Sequence, residues 1–161
     1  MKKLWMIVLA LLVIACASAL ANEKENEIVA MTILGEARGE GKTGMYAVAC
    51  IISQRSINRK LTPTQVCLQN RLVKGRRIHQ FSCWNYTSLT QHGRNRAKLN
   101  ALLKTKEGEY AMLLASNIHN LKREYVKGAD HYCTLNVHNY WTKGQIPVAV
   151  IGNHKFFKLK P

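Results

Sequence analysis

The stretch Ile28–Glu40, IVAMTILGEARGE, constrains this chain more than any other. Ile28, Val29, Ala30, Met31, Ile33 and Leu34 make a segment that is apolar on nearly every side, and a helix of that kind is buried rather than laid on a surface. The stretch then turns polar, as Gly35, Glu36, Ala37, Arg38, Gly39 and Glu40. Helical spacing sets Glu36 one turn after Thr32 and Ile33, so its carboxylate continues an apolar stripe at the C-terminal end of a buried helix. Desolvation and the negative end of the helix dipole both disfavour the charged form there. A carboxylic acid that keeps its proton near neutral pH can donate it, which makes Glu36 a candidate general acid. The competing reading is that Glu36 reaches water or pairs with Arg38 or Arg55.

With 161 residues the chain has room for one domain with a real core. Lys2 and Lys3 followed by the apolar run Leu4–Ala15 read as a signal peptide, so residues 1–21 are expected to be a targeting segment and 22–161 the domain. Cleavage after Ala21, at the small-x-small site Ala19-Leu20-Ala21, competes with lipidation of Cys16 in a lipobox-like Val13-Ile14-Ala15-Cys16 and with an uncleaved anchor. All three outcomes export the domain to the periplasm or cell envelope. Cys50, Cys67, Cys83 and Cys133 follow the signal, an even count that suggests disulfides in an exported chain. Cys67 and Cys83 flank one loop-like stretch and are the preferred pair, whereas Cys50 sits in an apolar helical run.

The formal charge is +15, so an exported protein of this composition expects an anionic partner such as the cell envelope surface. Only nine side chains are carboxylates. Glu23, Glu25 and Glu27 suit the first turn of a helix, which leaves Glu36, Glu40, Glu107, Glu109, Glu124 and Asp130 as the short list for acid–base chemistry.

Along the chain, Gly39–Gly44 has the glycine spacing of a phosphate loop but not the Lys-Ser/Thr that must follow, so an interhelical turn is expected. Met45–Asn58 reads as a second helix, and Thr62-Pro63-Thr64-Gln65 as the capped start of a short third one. From Asn70 to Gly93 periodicity disappears. Arg71, Lys74, Arg76 and Arg77 cluster there, ahead of Gln80–Asn85, and a long aromatic-polar loop is expected. Phe81 and Trp84 could either stack on sugar rings or plug the core. Helices are expected near Arg94–Thr105 and Glu107–His119, interrupted at Gly108. The tail, with Gly128–Cys133, Tyr140-Trp141 and Val148–Phe157, suggests a small antiparallel sheet turning at Gly152-Asn153. The expected class is α+β, mainly helical with a small antiparallel sheet.

Gly-Glu-Ala-Arg-Gly-Glu at 35–40, Ala47–Ala49 with Arg55, Gln80–Trp84, Gly128–Tyr132, Trp141 and Ile151–Phe156 occur in the order in which they stand in the SleB-type cell wall hydrolases, and the chain resembles that family over about residues 28–157. The resemblance implies a lysozyme- or lytic-transglycosylase-like domain that cleaves the glycan strand of peptidoglycan, with the family's essential glutamate falling on Glu36. It further implies a groove lined by Gln80, Phe81, Ser82, Trp84, His131, Tyr132 and Trp141. Glu40 and Arg38 are candidates for supporting roles, against a plain pairing of Glu40 with Arg38 or Lys42. Gln54, Cys133 and Asn139 depart from the residues usual in the family and touch substrate detail more than reaction class. A pair of carboxylates is the usual glycosidase requirement, but a transglycosylase can work with one, as acid to the leaving oxygen and then as base on the sugar's own 6-hydroxyl.

No cofactor, metal or nucleic acid is expected, and the domain is expected to act as a monomer on glycan strands. Other classes compete. A zinc amidase or peptidase would draw on His131, His138, His154 and Asp130, which lack the i, i+4 pairing of a metalloprotease helix. A thiol peptidase would need an activated Cys50 or Cys133. A basic module binding wall polymer or nucleic acid would explain the charge but not a glutamate ending a buried helix.

Overall fold

The computed structural model describes the backbone of residues 2–159 and the side chains of residues 19–159. Cys16 and the side chains of the 4–15 run, on which the signal and lipidation expectations rest, lie outside the described residues. Five helices, α1 (Lys2–Ala37), α2 (Gly41–Arg59), α3 (Pro63–Leu68), α4 (Leu89–Leu102) and α5 (Lys106–Ser116), combine with a hairpin, β1 (Asn70–Val73) and β2 (Arg76–His79), and with a three-stranded sheet. The sheet strands β3 (His131–Thr134), β4 (Ala149–Ile151) and β5 (His154–Phe157) are ordered β3-β5-β4, all antiparallel. This is the expected mainly helical α+β architecture.

Helix α1 is the centre of the packing. Ala30, Met31, Ile33 and Leu34 are fully buried, enclosed by α2, α3, α4 and α5. No new helix begins at Glu23–Glu27: with neither glycine nor proline between Lys2 and Leu34, nothing stops α1, and those acids lie inside it. After Ala37 a single 3-10 turn, Arg38–Glu40, reverses the chain into α2. Helix α2 has two working faces. Met45, Val48, Ala49 and Ile52 join the α1 core, while Ala47, Cys50 and Ile51 hold Val126, Ala129 and Phe156 and so dock the sheet. The sheet is thereby fixed relative to the end of α1.

Local signals govern the short elements. Thr62 caps α3: its Oγ1 accepts from the Gln65 N–H at 3.2 Å and the Gln65 side chain accepts from the Thr62 N–H at 2.9 Å. Thr105 caps α5 through the Gly108 N–H, so Gly108 belongs to the first turn of α5 and does not interrupt it. The expected long loop from Asn70 is instead the β1–β2 hairpin followed by a 3-10 turn, Ser82–Trp84. Its tip, Lys74-Gly75, has the positive φ at both positions (48° and 76°) that a type I′ turn needs. Lysine is an uncommon first residue for that turn, so the hairpin carried no Asn-Gly or Asp-Gly mark.

The expected Cys67–Cys83 bridge is not formed. All four described cysteines are free thiols. Cys67 is fully buried among the apolar side chains of the main core and serves there as a small hydrophobe.

Candidate active site

Two successive turns of α1 receive the Ser82–Trp84 turn. Thr32 donates to Ile28 O (2.8 Å) and accepts the Trp84 indole N–H (3.0 Å), both side chains being buried. One turn further on, Glu36 Oε1 accepts from the Ser82 hydroxyl (3.0 Å) and the Cys83 backbone N–H (2.9 Å). Such close approach depends on Gly35. A Cβ there would lie 2.5 Å from Cys83 Cβ and 3.1 Å from its sulfur.

The other carboxylate oxygen is held from the sheet. Tyr132 on β3 donates its hydroxyl to Glu36 Oε2 at 2.8 Å. Burial first, then the negative charge of Glu36, hold the Tyr132 phenol well above its ordinary value, so it keeps its proton as a donor. Three donors from two distant segments therefore fix the orientation of one half-buried carboxylate. Neither Arg38 nor Arg55 pairs with it; among the described residues the one ion pair is His131 Nδ1–Asp130 Oδ1, at 2.9 Å.

Glu36 opens into a cleft of about 900 Å³ between the hairpin and the sheet. Phe81 (1 % exposed) and Arg55 form part of its lining, with the Arg55 guanidinium over the Phe81 ring at 5.1 Å. His131 and Trp141 stand together on the sheet side, ring centroids 5.5 Å apart, and Trp141 meets Phe157 edge-on at 5.4 Å. Gln80 lines the hairpin side, where its Oε1 accepts from Arg59 Nη1 at 2.7 Å. Ser82 and Tyr132 complete the set. Among the described residues lining the cleft, Glu36 is the sole carboxylate.

Three expected residues fall elsewhere. Trp84 is 6 % exposed and bound to Thr32, so it plugs the core under the site and offers no stacking face; Arg96 covers its ring at 5.4 Å. Arg38 is exposed in the 3-10 turn and does not line the cleft. Glu40 pairs with neither Arg38 nor Lys42. It accepts the Asn153 backbone N–H (2.8 Å) and side-chain amide (3.2 Å), and the Asn153 backbone bond leads the side-chain one in holding its carboxyl below the ordinary value. Gly152, at φ 56°, leaves room for that carboxylate, since a Cβ would lie 2.5 Å from Glu40 Oε2. Glu40 thus ties the β4–β5 turn to the end of α1.

The cleft also takes in residues that sequence reasoning did not assign to it: Arg55, Arg71, His79, Tyr140 and His154. Arg55 carried a legible signal. It continues the spacing of Val48 and Ile52 on the apolar face of α2, which marks a buried arginine. Among the described residues no three His, Cys, Asp or Glu side chains gather as a ligand set. Burial pushes the Cys50 thiol up to about 12, away from the thiolate that a nucleophile requires.

A family model described as Cell Wall Hydrolase matches residues 39–157. The matched span begins just after Glu36 and contains the hairpin, the Ser82–Trp84 turn and the sheet. No curated protein and no solved structure matches the chain.

Proposed function

Since the chain belongs to the cell wall hydrolase family, whose substrate is peptidoglycan, we propose that it cuts the glycan strand, with Glu36 as the only acid and base. The observation that carries this reading is the lone carboxylate of the cleft, held by Ser82, Cys83 and Tyr132. A glycosidase that activates water or forms a glycosyl ester works with two carboxylates. One carboxylate suffices when the nucleophile belongs to the substrate. Protonated Glu36 gives its proton to the glycosidic oxygen as the C1–O bond breaks. The resulting carboxylate then takes the proton of the muramyl 6-hydroxyl as that oxygen closes on C1. The proton returns to Glu36, no water is consumed, and the product is a 1,6-anhydro sugar. Tyr132 serves both stages, since its hydroxyl can donate to the carboxylate and accept from the acid.

Digestion of purified peptidoglycan and weighing of the muropeptides tests the proposal. The expected products end in 1,6-anhydromuramic acid, one water lighter than hydrolytic ones, and Glu36→Gln produces none. Ordinary reducing ends would retain glycan cleavage and replace the internal nucleophile by water. Cleaved peptide or amide bonds beside an intact glycan would overturn the reading.

A further inference from the structure

Two buried side-chain polar atoms among the described residues have no partner in the protein, Arg55 Nη1 and His154 Nδ1. Both side chains line the cleft. His154 is 5 % exposed and meets the Tyr132 ring edge-on at 5.2 Å. Arg55 is 6 % exposed, and its Nε donates to the backbone oxygen of Asp130 at 2.6 Å. Among the described residues that is the one hydrogen bond the guanidinium makes, and no carboxylate pairs with it. Glu36, the cleft's own carboxylate, is engaged by Ser82, Cys83 and Tyr132 instead.

A buried guanidinium with no carboxylate in direct contact is costly to maintain, and the more distant charges of Asp130 and Glu36 offset only part of that cost. Desolvation pulls Arg55 down to about 10, which leaves it charged at neutral pH. Fixed through Nε and braced on Phe81, it holds the remaining fork of donors in one orientation, and that fork matches a carboxylate. Arg71 on the exposed hairpin adds a second cation to the same cleft. We propose that Arg55 is the receptor for a carboxylate carried by the muramyl unit of the glycan strand.

The inference rests on the glycan reading above. Arg55 lines the cleft together with Glu36 and Tyr132, where the sugar at the scissile bond must sit. An acidic group that reaches so deep has to be attached close to that sugar's ring. The 3-O-lactyl substituent of muramic acid meets the requirement once its amide link to the stem peptide is gone. Carboxylates of an intact stem lie further out, nearer the reach of Arg71. The favoured ligand is therefore the free lactyl carboxylate, which sets this enzyme after a reaction that cleaves the lactyl–peptide amide bond.

Calorimetric titration of the full chain carrying Glu36→Gln, which keeps the ligand intact, tests the receptor with soluble glycan oligomers. Three forms are compared: stem-free with a free lactyl carboxylate, stem-free with that group methylamidated, and stem-bearing. The free acid is expected to bind about tenfold or more tightly than the amide, as a charge-assisted bidentate pair does. Adding Arg55→Gln is expected to bring free acid and amide to equal affinity, and Arg55→Lys to retain only part of the difference between them. A stem-bearing oligomer that binds as tightly as the free acid, and weakens when its stem carboxyls are amidated, upholds the receptor and assigns the stem as the source. Equal affinity for acid and amide in the protein that keeps Arg55 overturns the proposal, whether or not the Arg55 variants fold. Digestion by the wild-type chain separates the two readings. Acid preference beside an uncut glycan leaves the receptor standing and removes the cleavage proposal; glycan cleavage without acid preference does the reverse.

Discussion

Tyr132 joins the two halves of the site, since its phenol comes from the sheet and its partner Glu36 ends the central helix, 96 residues earlier. Removing that hydroxyl leaves Glu36 with its two donors from the Ser82–Trp84 turn and frees one carboxylate oxygen to rotate. Tyr132→Phe is expected to lower kcat by about tenfold with little change in KM, and to cost on the order of 1 kcal/mol of stability. Turnover on peptidoglycan, compared with a thermal melt of the same protein, checks the pair of effects. A loss of stability with unaltered turnover would make the contact purely structural. Glu36 itself was legible from helical spacing, because burial on α1 follows from which residues share a face. Its partners were not, for they arrive from segments 46 to 96 residues away. Trp84 shows the same limit: an aromatic beside amides suits a sugar platform, and only Thr32 beneath it marks it as core.

Among the elements, those announced by a cap or turn signal, such as α3 and the terminal sheet, were legible, and those without one, such as the β1–β2 hairpin, were not. The α3 cap is of the first kind. Thr62→Ala breaks the reciprocal Thr62–Gln65 bonds and is expected to lower stability by about 1 kcal/mol, seen as a reduced midpoint in urea, with glycan cleavage unaffected because α3 does not line the cleft. The Gly152-Asn153 turn was also legible, and β4 and β5 flank it as expected. The hairpin is of the second kind. All four residues of β1 are exposed and β2 is scarcely better covered, so no alternation of apolar and polar residues announced either strand. Its value lies in position: it supplies one wall of the cleft, with Arg71 and Ile78 facing the space above Glu36.

At the scale of the molecule, the Glu40 carboxylate ties the sheet to the helical part, and the Asp130 carboxylate ties the start of β3 to the C-terminal segment. Burial pushes Asp130 up, but hydrogen bonds with His131 and the Leu159 N–H, together with the charges of His131 and Arg55, outweigh it and leave its carboxyl below the ordinary 3.8. Glu40 lies below its ordinary 4.5 through the Asn153 bonds. Folded-state values that are depressed contribute stability above the unfolded values, and this contribution is lost as pH falls through the folded ones. Thermal melts are therefore expected to show a fall in Tm between about pH 5 and about pH 3, smaller in Glu40→Gln than in the wild type. An identical acid-side fall in both proteins would remove Glu40 from that role.

By itself the sequence determined that a helix through Val29–Leu34 must be buried, that Glu36 would stand at its end, and that few other carboxylates could share the chemistry. These are local properties, because periodicity and composition act over a turn or two of chain. Tertiary structure alone decided which groups hold Glu36, that Glu40 fastens a turn and does not face the substrate, and that Arg55 lies charged and unpaired in the cleft. The physical reason is that hydrogen bonds and desolvation depend on what folding brings within about 3 Å, and here those partners come from opposite ends of the domain.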